Sequence, residues 1–294
     1  MAISAAIFAC ELSKKEKNDK VFFVTFAAVI MLPTVILNSA YWGQCDSIYT
    51  TFIILTLLYL YREKYHRAFM FLGIAFAFKM QTIFIFPFII CFYIYKKQFS
   101  IFELLITVFT FWISGIGAFV QGRSLLDPFR IYANQTGTYQ YMHVNFPSFW
   151  MFVGNDYEWL KTAAIVMAAG ICGMGLYIIM KRKLDCSRPE NFVSIASWFI
   201  WTCVLFLPAM HERYAYPLEI LLVILTCINK DYLKYSSVAI LFSLFTYGNY
   251  LFSNGGLDKY IVIIYAGCYL HFTYTILKKN SKAATVTDKE MQNE

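Results

Sequence analysis

The sequence predicts an all-α polytopic membrane protein with about 10–11 membrane segments. Of its 294 residues, 59% are hydrophobic and only 15% are charged, whereas soluble domains have roughly 45–50% apolar and about 25% charged residues. Several apolar runs approach the roughly 20 residues that a helix needs to cross a bilayer core. The alternating polarity of transmembrane β-strands is missing from these runs. Together these observations favour membrane helices.

The apolar segments follow one another along the whole chain. They cover residues 1–12, 21–38, 46–61, 67–95, 102–121, 160–180, 191–210, 214–228, 236–253 and 260–277. Segment 67–95 is long enough for two helices, and we expect a short hairpin with its turn near Lys79. Arms of about 12 residues are too short to span comfortably. We therefore expect them to be tilted or partly re-entrant, beside protein or a water-filled cavity.

The connectors between these segments alternate in charge. One set holds 19 of the 25 Lys and Arg residues, in SKKEKNDK, REKYHR, KKQ, KRKLDCSRPE, NKDYLK and the C-terminal tail. The opposite set holds Lys79, Arg123, Arg130, Lys161, Arg213 and Lys259. The positive-inside rule makes the first set and the C-terminus cytoplasmic. The net charge of +7 is then a consequence of topology, and we expect no nucleic-acid partner.

The domain organisation follows from the same pattern. We expect one transmembrane domain over residues 1–277, with an outer loop at 121–159, and a polar cytoplasmic tail at 278–294. The first apolar segment lacks the preceding basic region of a secretory signal, so we expect it to be the end of a membrane helix within a longer design. Eight cysteines lie mostly inside apolar segments without regular spacing. They indicate small core residues, with no disulfide framework or metal site.

The first outer loop contains a group of polar side chains between two apolar segments. A spacing of four residues would place Asn38, Trp42 and Asp46 on one face of a helix, with Gln44 nearby. Asp46 could also cap the helix that follows, because a carboxylate there accepts free backbone N–H groups. Capping does not explain Trp42 and Gln44, so we expect a site.

Lys79 lies between two apolar arms and precedes Gln81 by two residues. Placing a Lys near mid-membrane costs about 2.5–3.5 kcal/mol. The side chain could reach the outer interface, but we expect a buried anionic partner. Pro87 would break or kink the returning arm, as suits a hairpin that borders a cavity.

A third polar group, His211, Glu212 and Arg213, lies at the end of a later apolar segment. It could be an exposed turn whose charges pair with each other, which contributes little. It could instead bind an oxyanion, because Arg offers a planar fork of donors to phosphate and His adds a second contact. At a membrane surface that phosphate would be a lipid head group. The aromatic outer loop could pack at the interface or close over sugar rings.

Three motifs together resemble the GT-C superfamily of membrane glycosyltransferases. They are N-S-x-x-W-G-Q-x-D at 38–46, F-K-x-Q at 78–81 with a later proline, and H-E-R-Y at 211–214. Over roughly residues 20–280 the chain looks closest to the branch of dolichyl-phosphate-glucose-dependent glucosyltransferases and their bacterial relatives. The resemblance implies transfer of a hexose from a polyprenyl-phosphate carrier to a glycan or lipid-linked acceptor. The reaction is expected on the outer face of a bacterial plasma membrane.

The resemblance also implies roles for the polar residues. Trp42, Gln44 and Asp46 would lie beside the donor and acceptor, with Asp46 as a candidate general base. The residues expected around the lipid phosphate are Lys79, Gln81, His211, Glu212 and Arg213. The polyprenyl-phosphate sugar is the donor substrate, no cofactor is assigned, and a divalent metal stays open. The partners expected are membrane lipid, the lipid-linked donor and the glycan acceptor.

Other readings of the same residues stay open. The catalytic carboxylate of the resembled family lies in an outer loop before the region that this chain matches. Asp46 or another carboxylate would have to serve in its place. A transporter or flippase for a lipid-linked saccharide would also need an outer phosphate site and an aromatic path. A non-catalytic fragment or an assembly subunit is the third alternative.

Overall fold

The computed structural model describes residues 1–13, 19–135, 138–253 and 259–291, and the side chains as far as residue 279. Most of the predicted connector SKKEKNDK and the last residues of the predicted tail lie outside the described residues. Within the described ranges the chain is 79% helical, which confirms the all-α prediction.

Fourteen α-helices, α1 to α14, account for most of the residues that the structure describes. In chain order they are Ala2–Ser13, Asp19–Ile30, Pro33–Val35, Asp46–Tyr61, Tyr65–Phe78, Phe86–Lys96, Leu104–Ile113, Ile116–Val120, Asp127–Gln135, Tyr157–Lys181, Pro189–Phe206, Tyr216–Ile228, Leu233–Phe252 and Tyr260–Met291. A π-helix, Ile36–Tyr41, continues α3, and 3₁₀ turns occupy Met80–Ile85, Ile101–Glu103, Phe149–Phe152 and Lys230–Tyr232. Two short parallel strands, β1 (His143–Val144) and β2 (Met210–His211), complete the fold.

Proline marks where several of these helices begin. Pro33, Pro189 and Pro217 lie in the first turns of α3, α11 and α12, where the missing N–H group would have no intrahelical partner. Pro87 likewise lies in the first turn of α6. It follows the 3₁₀ turn of the returning arm, so the break predicted for this arm lies where one helix type gives way to another.

Residues 65–98 form the hairpin that the sequence predicts. The Tyr65 hydroxyl at the start of α5 donates to Gln98 Oε1 after the end of α6, at 3.1 Å. The start of the first arm and the end of the second arm therefore lie side by side. At the far end Lys79 has extended backbone, with φ −158° and ψ 131°, and it separates α5 from the 3₁₀ turn.

The connectors predicted to be cytoplasmic meet at the same end of the helices as the open end of this hairpin. Ion pairs and hydrogen bonds join Arg62 to Glu11, Lys96 to Glu63, Tyr95 to Asp185, and Glu190 to both Asn229 and Lys279. Charged connectors therefore gather at one end of the bundle. The polar residues of the predicted outer side lie at the other end.

Helices α11 and α12 form the centre of the core. Nearly every residue of α11 is buried, and Trp201 is among the largest fully buried side chains. A helix that is apolar on all sides suits a position surrounded by other helices. Strand β2 and the rest of the loop 207–215 connect these two central helices.

Two helices of the described chain are long and apolar enough to cross a membrane. They are α10 and the part of α14 that spans Tyr260–Lys279. Helix α2 and the segment Pro33–Tyr41 would make a third span if the 50° bend between them is part of one crossing. Helix α10 has 25 residues, and only Ala164, Ala168 and Ile179 are buried, so most of its side chains are at least partly exposed. The prediction of 10–11 membrane segments stays a prediction.

The close approach of α5 and α7 yields a stability prediction at Gly73. A Cβ at this position would lie 2.6 Å from the Thr107 carbonyl oxygen and 2.7 Å from Thr110 Cβ. Gly73→Ala is therefore expected to destabilise the protein by about 1–3 kcal/mol through overpacking, measured as a lower Tm in detergent. Gly170→Ala in α10 is the matched control, because a Cβ there meets no atom within 4 Å. Equal Tm values for both variants would contradict this packing.

Candidate functional site

Asp46 is the first residue of α4 and is completely buried. The residue at the N-cap position is Cys45, and no side chain caps this helix. The capping reading of Asp46 is therefore wrong. Its carboxylate instead makes tertiary contacts with residues from three other parts of the chain.

Both carboxylate oxygens of Asp46 have partners. Lys79 Nζ donates a hydrogen bond to Oδ1, and Asn38 Nδ2 donates to Oδ2 at 2.9 Å. Arg213 Nε lies 3.8 Å from the same Oδ2. One buried carboxylate thus joins the π-helix, the hairpin turn at Lys79 and the segment before α12, residues 207–215.

The break in the hairpin brings Lys79 to this carboxylate. Its side chain is only 12% exposed, and its ammonium lies over the rings of Tyr49 at 5.3 Å and Tyr214 at 5.5 Å. Aromatic faces attract a cation, so the ammonium is held on three sides. Lys79 therefore has the buried anionic partner that the sequence predicts.

Arg213 lies beside a second buried carboxylate. Its Nη1 donates to Glu212 Oε1 at 2.7 Å, and its guanidinium lies 5.2 Å from the centre of the Trp42 ring. Burial acts to lower the pKa of Arg213, but the negative charges of Glu212 and Asp46 outweigh it and raise the pKa. The guanidinium is therefore a permanent positive charge. The reading of this segment as an exposed turn is wrong, because Glu212 is completely buried.

The outer loop reaches the same place through its backbone. Strand β1 pairs with β2 in parallel, with Val144 opposite His211, and the Tyr139 ring lies edge-on to the His211 ring at 4.4 Å. His211 Nδ1 lies 3.7 Å from Glu212 Oε2. The loop therefore covers the segment that carries His211, Glu212 and Arg213.

A cavity of about 500 Å³ lies between the hairpin turn, the outer loop and the segment before α12. Among the residues that line it are Lys79, Gln81, Tyr132, Tyr139, Arg213 and Tyr214. Its wall therefore carries two cations that also contact Asp46. A volume of this size is within the range of small-molecule sites.

The predicted site residues fall into three groups in the structure. Lys79, Gln81 and Arg213 line the cavity. Asp46, Glu212 and Trp42 contact Lys79 or Arg213 from outside the cavity, and His211 lies beside Glu212. Gln44 is different. It is half-buried, its backbone N–H donates to the Asn38 carbonyl oxygen at 2.9 Å, and it does not line the cavity.

Comparison with models of known protein families and with curated proteins found no match. The resemblance to the GT-C superfamily therefore rests on the three motifs themselves. These motifs lie far apart in the sequence at 38–46, 78–81 and 211–214, and one residue of each contacts or approaches Asp46.

Within the described part of the chain, no group of three or more His, Cys, Asp or Glu side chains could hold a metal ion. The polar atoms at the cavity are instead ammonium, guanidinium, amide and phenol groups. Such groups are hydrogen-bond donors, and the two cations favour an anionic ligand.

Sequence reasoning missed two parts of this region. Tyr49 follows Asp46 by three residues and shares its helix face, which was a usable signal. Glu219 is completely buried in α12, and it is the one charged residue of the run YPLEILLVILTCI. A lone carboxylate in an apolar helix is also a signal, because burial of an unpaired charge is expensive.

The contact between Lys79 and Asp46 predicts that substitutions at these two positions have non-additive effects on stability. Lys79→Met leaves the buried carboxylate without its closest cation and is expected to cost about 3–5 kcal/mol. Adding Asp46→Asn to Lys79→Met should restore part of that loss, because the uncompensated charge disappears. The measurement is Tm of purified protein in detergent for the wild type, both single variants and the double variant.

Arg130→Ala is the control for this set. Arg130 pairs with Asp127 at 3.6 Å, and its side chain is 63% exposed, so its loss should change stability by less than about 1 kcal/mol. Strictly additive effects of Lys79→Met and Asp46→Asn would show that the two side chains do not interact.

Proposed function

We propose that this chain is a polytopic membrane protein of the GT-C type that transfers a hexose from a polyprenyl-phosphate carrier to a glycan or lipid-linked acceptor. One observation carries the proposal: Lys79 and Arg213 line one cavity and converge on one buried carboxylate. Fixed cations of this kind stabilise the charge that develops on a departing phosphate. The tyrosines around the cavity supply the aromatic faces that suit a sugar ring.

Two features support the membrane setting. The charged connectors gather at one end of the helices, and large apolar side chains such as Val166, Leu241 and Leu270 face outward between the ends. Extensive exposed apolar surface favours contact with lipid. We propose that the basic end is cytoplasmic and that the cavity opens toward the outer face, as in a bacterial plasma membrane.

In the proposed reaction the bond between the hexose C1 and the phosphate oxygen breaks, and its electron pair leaves with the phosphate. The acceptor hydroxyl oxygen forms the new bond to C1, and its proton passes to a carboxylate. Lys79 and Arg213 stabilise the phosphate oxygens, whereas Gln81 and the tyrosines orient the donor. Glu212 holds Arg213 in position, and His211 lies beside Glu212.

Asp46 is completely buried and does not line the cavity, so its present contacts must rearrange before it can accept a proton from the acceptor hydroxyl. In the structure Lys79 occupies Oδ1, and Asn38 occupies Oδ2. A bound donor phosphate would compete with Asp46 for the Lys79 ammonium. We therefore propose that donor binding draws Lys79 away and frees Oδ1 for the acceptor hydroxyl, so that the base becomes active only when the donor is present.

A transporter of lipid-linked saccharides is the second candidate. It is favoured by the 50° bend between α2 and the segment Pro33–Tyr41, because interrupted helices are common at transporter binding sites. Such a protein would move the carrier between leaflets without forming a glycosidic bond. An assembly subunit would do neither.

Transfer activity tests the first proposal. Membranes containing the full chain are given a radiolabelled polyprenyl-phosphate hexose, and label is measured in glycan and lipid-linked products. Asp46→Asn, Lys79→Ala and Arg213→Ala are each expected to lower the rate by about 10²–10³-fold, as for loss of one charge-stabilising group. Lys161→Ala, which removes a cation that pairs with Glu158 in the same helix turn, should keep the wild-type rate.

Wild-type transfer in all three site variants would refute the proposed site. Movement of labelled carrier between leaflets without a new glycosidic bond would favour transport instead. If Asp46 acts after Lys79 leaves, Asp46→Asn should lower kcat while KM for the donor falls, because the neutral side chain competes less with the donor phosphate for Lys79.

The sidedness of the proposed membrane protein gives a separate prediction. Cysteines placed at exposed Arg67 and exposed Gln121 should react with a membrane-impermeant maleimide from opposite sides, because the positive-inside rule puts only the first in the cytoplasm. Right-side-out and inverted vesicles are compared, with the unsubstituted chain as the background for the native cysteines. Labelling of both positions from one side would contradict this topology.

A further inference from the structure

Glu219 is a completely buried carboxylate in the middle of the helix bundle. The Ser243 hydroxyl of α13 donates a hydrogen bond to its Oε1, and Thr34 of α3 lies beside it. Its second oxygen, Oε2, has no hydrogen-bond partner among the described side chains. No Lys, Arg or His of the described residues compensates its charge.

The surroundings of Glu219 contain further polar atoms without partners. Tyr216 and Tyr247 face it, and both side chains are completely buried. Tyr247 lies beside Asn38, Tyr216 beside Ser39 and Thr34 beside Glu219, but among the described residues none of these contacts has good hydrogen-bond geometry. Buried polar atoms left unpaired in this way are rare and call for a ligand or ordered water.

The types of these atoms define what could bind. They are carboxylate, hydroxyl, phenol and amide oxygens, which are the ligands that hard cations prefer. One carboxylate supplies one negative charge, so a single positive charge would balance it. A divalent ion would leave an uncompensated buried charge, which is unfavourable.

The backbone around Thr34 is suited to such a site. Helix α2 ends at Ile30, and the chain bends by 50° before Pro33–Tyr41. The π-helix then carries Asn38 toward both Asp46 and Tyr247. Interrupted helices of this kind line cation sites in membrane proteins, because their unpaired backbone groups border a cavity.

We propose that Glu219, Ser243, Thr34 and Tyr247 bind one Na⁺ ion in the interior behind Asp46. The cation balances the Glu219 charge and takes the oxygen atoms that have no other partner. This site is distinct from the anion cavity and does not depend on glycosyl transfer.

Cation-dependent stability tests the proposal. The full chain is purified in detergent and melted at neutral pH in choline chloride, with NaCl replacing choline at constant ionic strength. A ligand that binds only the folded protein raises Tm in a concentration-dependent manner. We expect Na⁺ to raise Tm to a plateau, and we expect Glu219→Gln to abolish the rise. Glu158→Gln, the same change at an exposed carboxylate, should keep it.

Acidification in choline chloride alone tests whether a proton on Glu219, instead of Na⁺, neutralises the carboxylate. The titratable groups that face Glu219 are Asp46 of α4, Tyr216 of α12, Tyr247 of α13 and Tyr265 of α14. A rise in Tm on mild acidification that Glu219→Gln removes, without any Na⁺ effect, would show that protonation neutralises Glu219 and would overturn the proposal. A Tm that does not respond to Na⁺, or that responds equally in Glu219→Gln, would also overturn it.

Ser243→Ala carries the test if Glu219→Gln does not accumulate. Loss of a hydrogen bond to a charged group weakens binding by roughly tenfold or more. The half-saturating Na⁺ concentration should rise by about that factor. An unchanged ion response in Ser243→Ala would count against the site.

Discussion

The outer end of this protein depends on one buried carboxylate. Asp46 can remain in the interior only because Lys79, Asn38 and Arg213 surround it, and each of these belongs to a different part of the chain. A buried charge without partners is far more costly than a buried pair. The π-helix, the hairpin turn and the segment before α12 are therefore fixed relative to each other by a single side chain.

Much of this arrangement could be predicted from the sequence, because charges in apolar segments are informative. Lys79 had to find an anion, and Asp46 and Arg213 were charged residues at the same predicted end. The hairpin could be predicted because the connectors before and after residues 67–95 are both basic, which places both ends of this segment on the same side of the membrane. The pairing of β1 with β2 could not be predicted, since two residues in each strand leave no period to detect. The position of Gln44 away from the cavity lining could not be predicted either, because spacing alone does not fix the direction of a side chain.

The two ends of the bundle differ in how their charges are arranged. At the basic end, pairs such as Lys96 with Glu63 are partly exposed, and such pairs are worth little individually. At the other end, the carboxylates of Asp46 and Glu212 are completely buried, and the cations that contact them reach a cavity. Lys, Arg, Asp and Glu therefore form a solvated surface at the basic end. At the other end they hold hydrogen-bond donors in fixed positions beside the cavity.

The π-helix at Ile36–Tyr41 makes the position of Asn38 sensitive to chain length. Its wider turn closes through a hydrogen bond from the Trp42 N–H to the Leu37 carbonyl oxygen at 2.9 Å, one residue farther along than in an α-helix. Removing a single residue here would convert the turn to α-helix and rotate the residues before it by about 100°. Asn38 would then leave Asp46, although every side chain of the site was still present in the sequence.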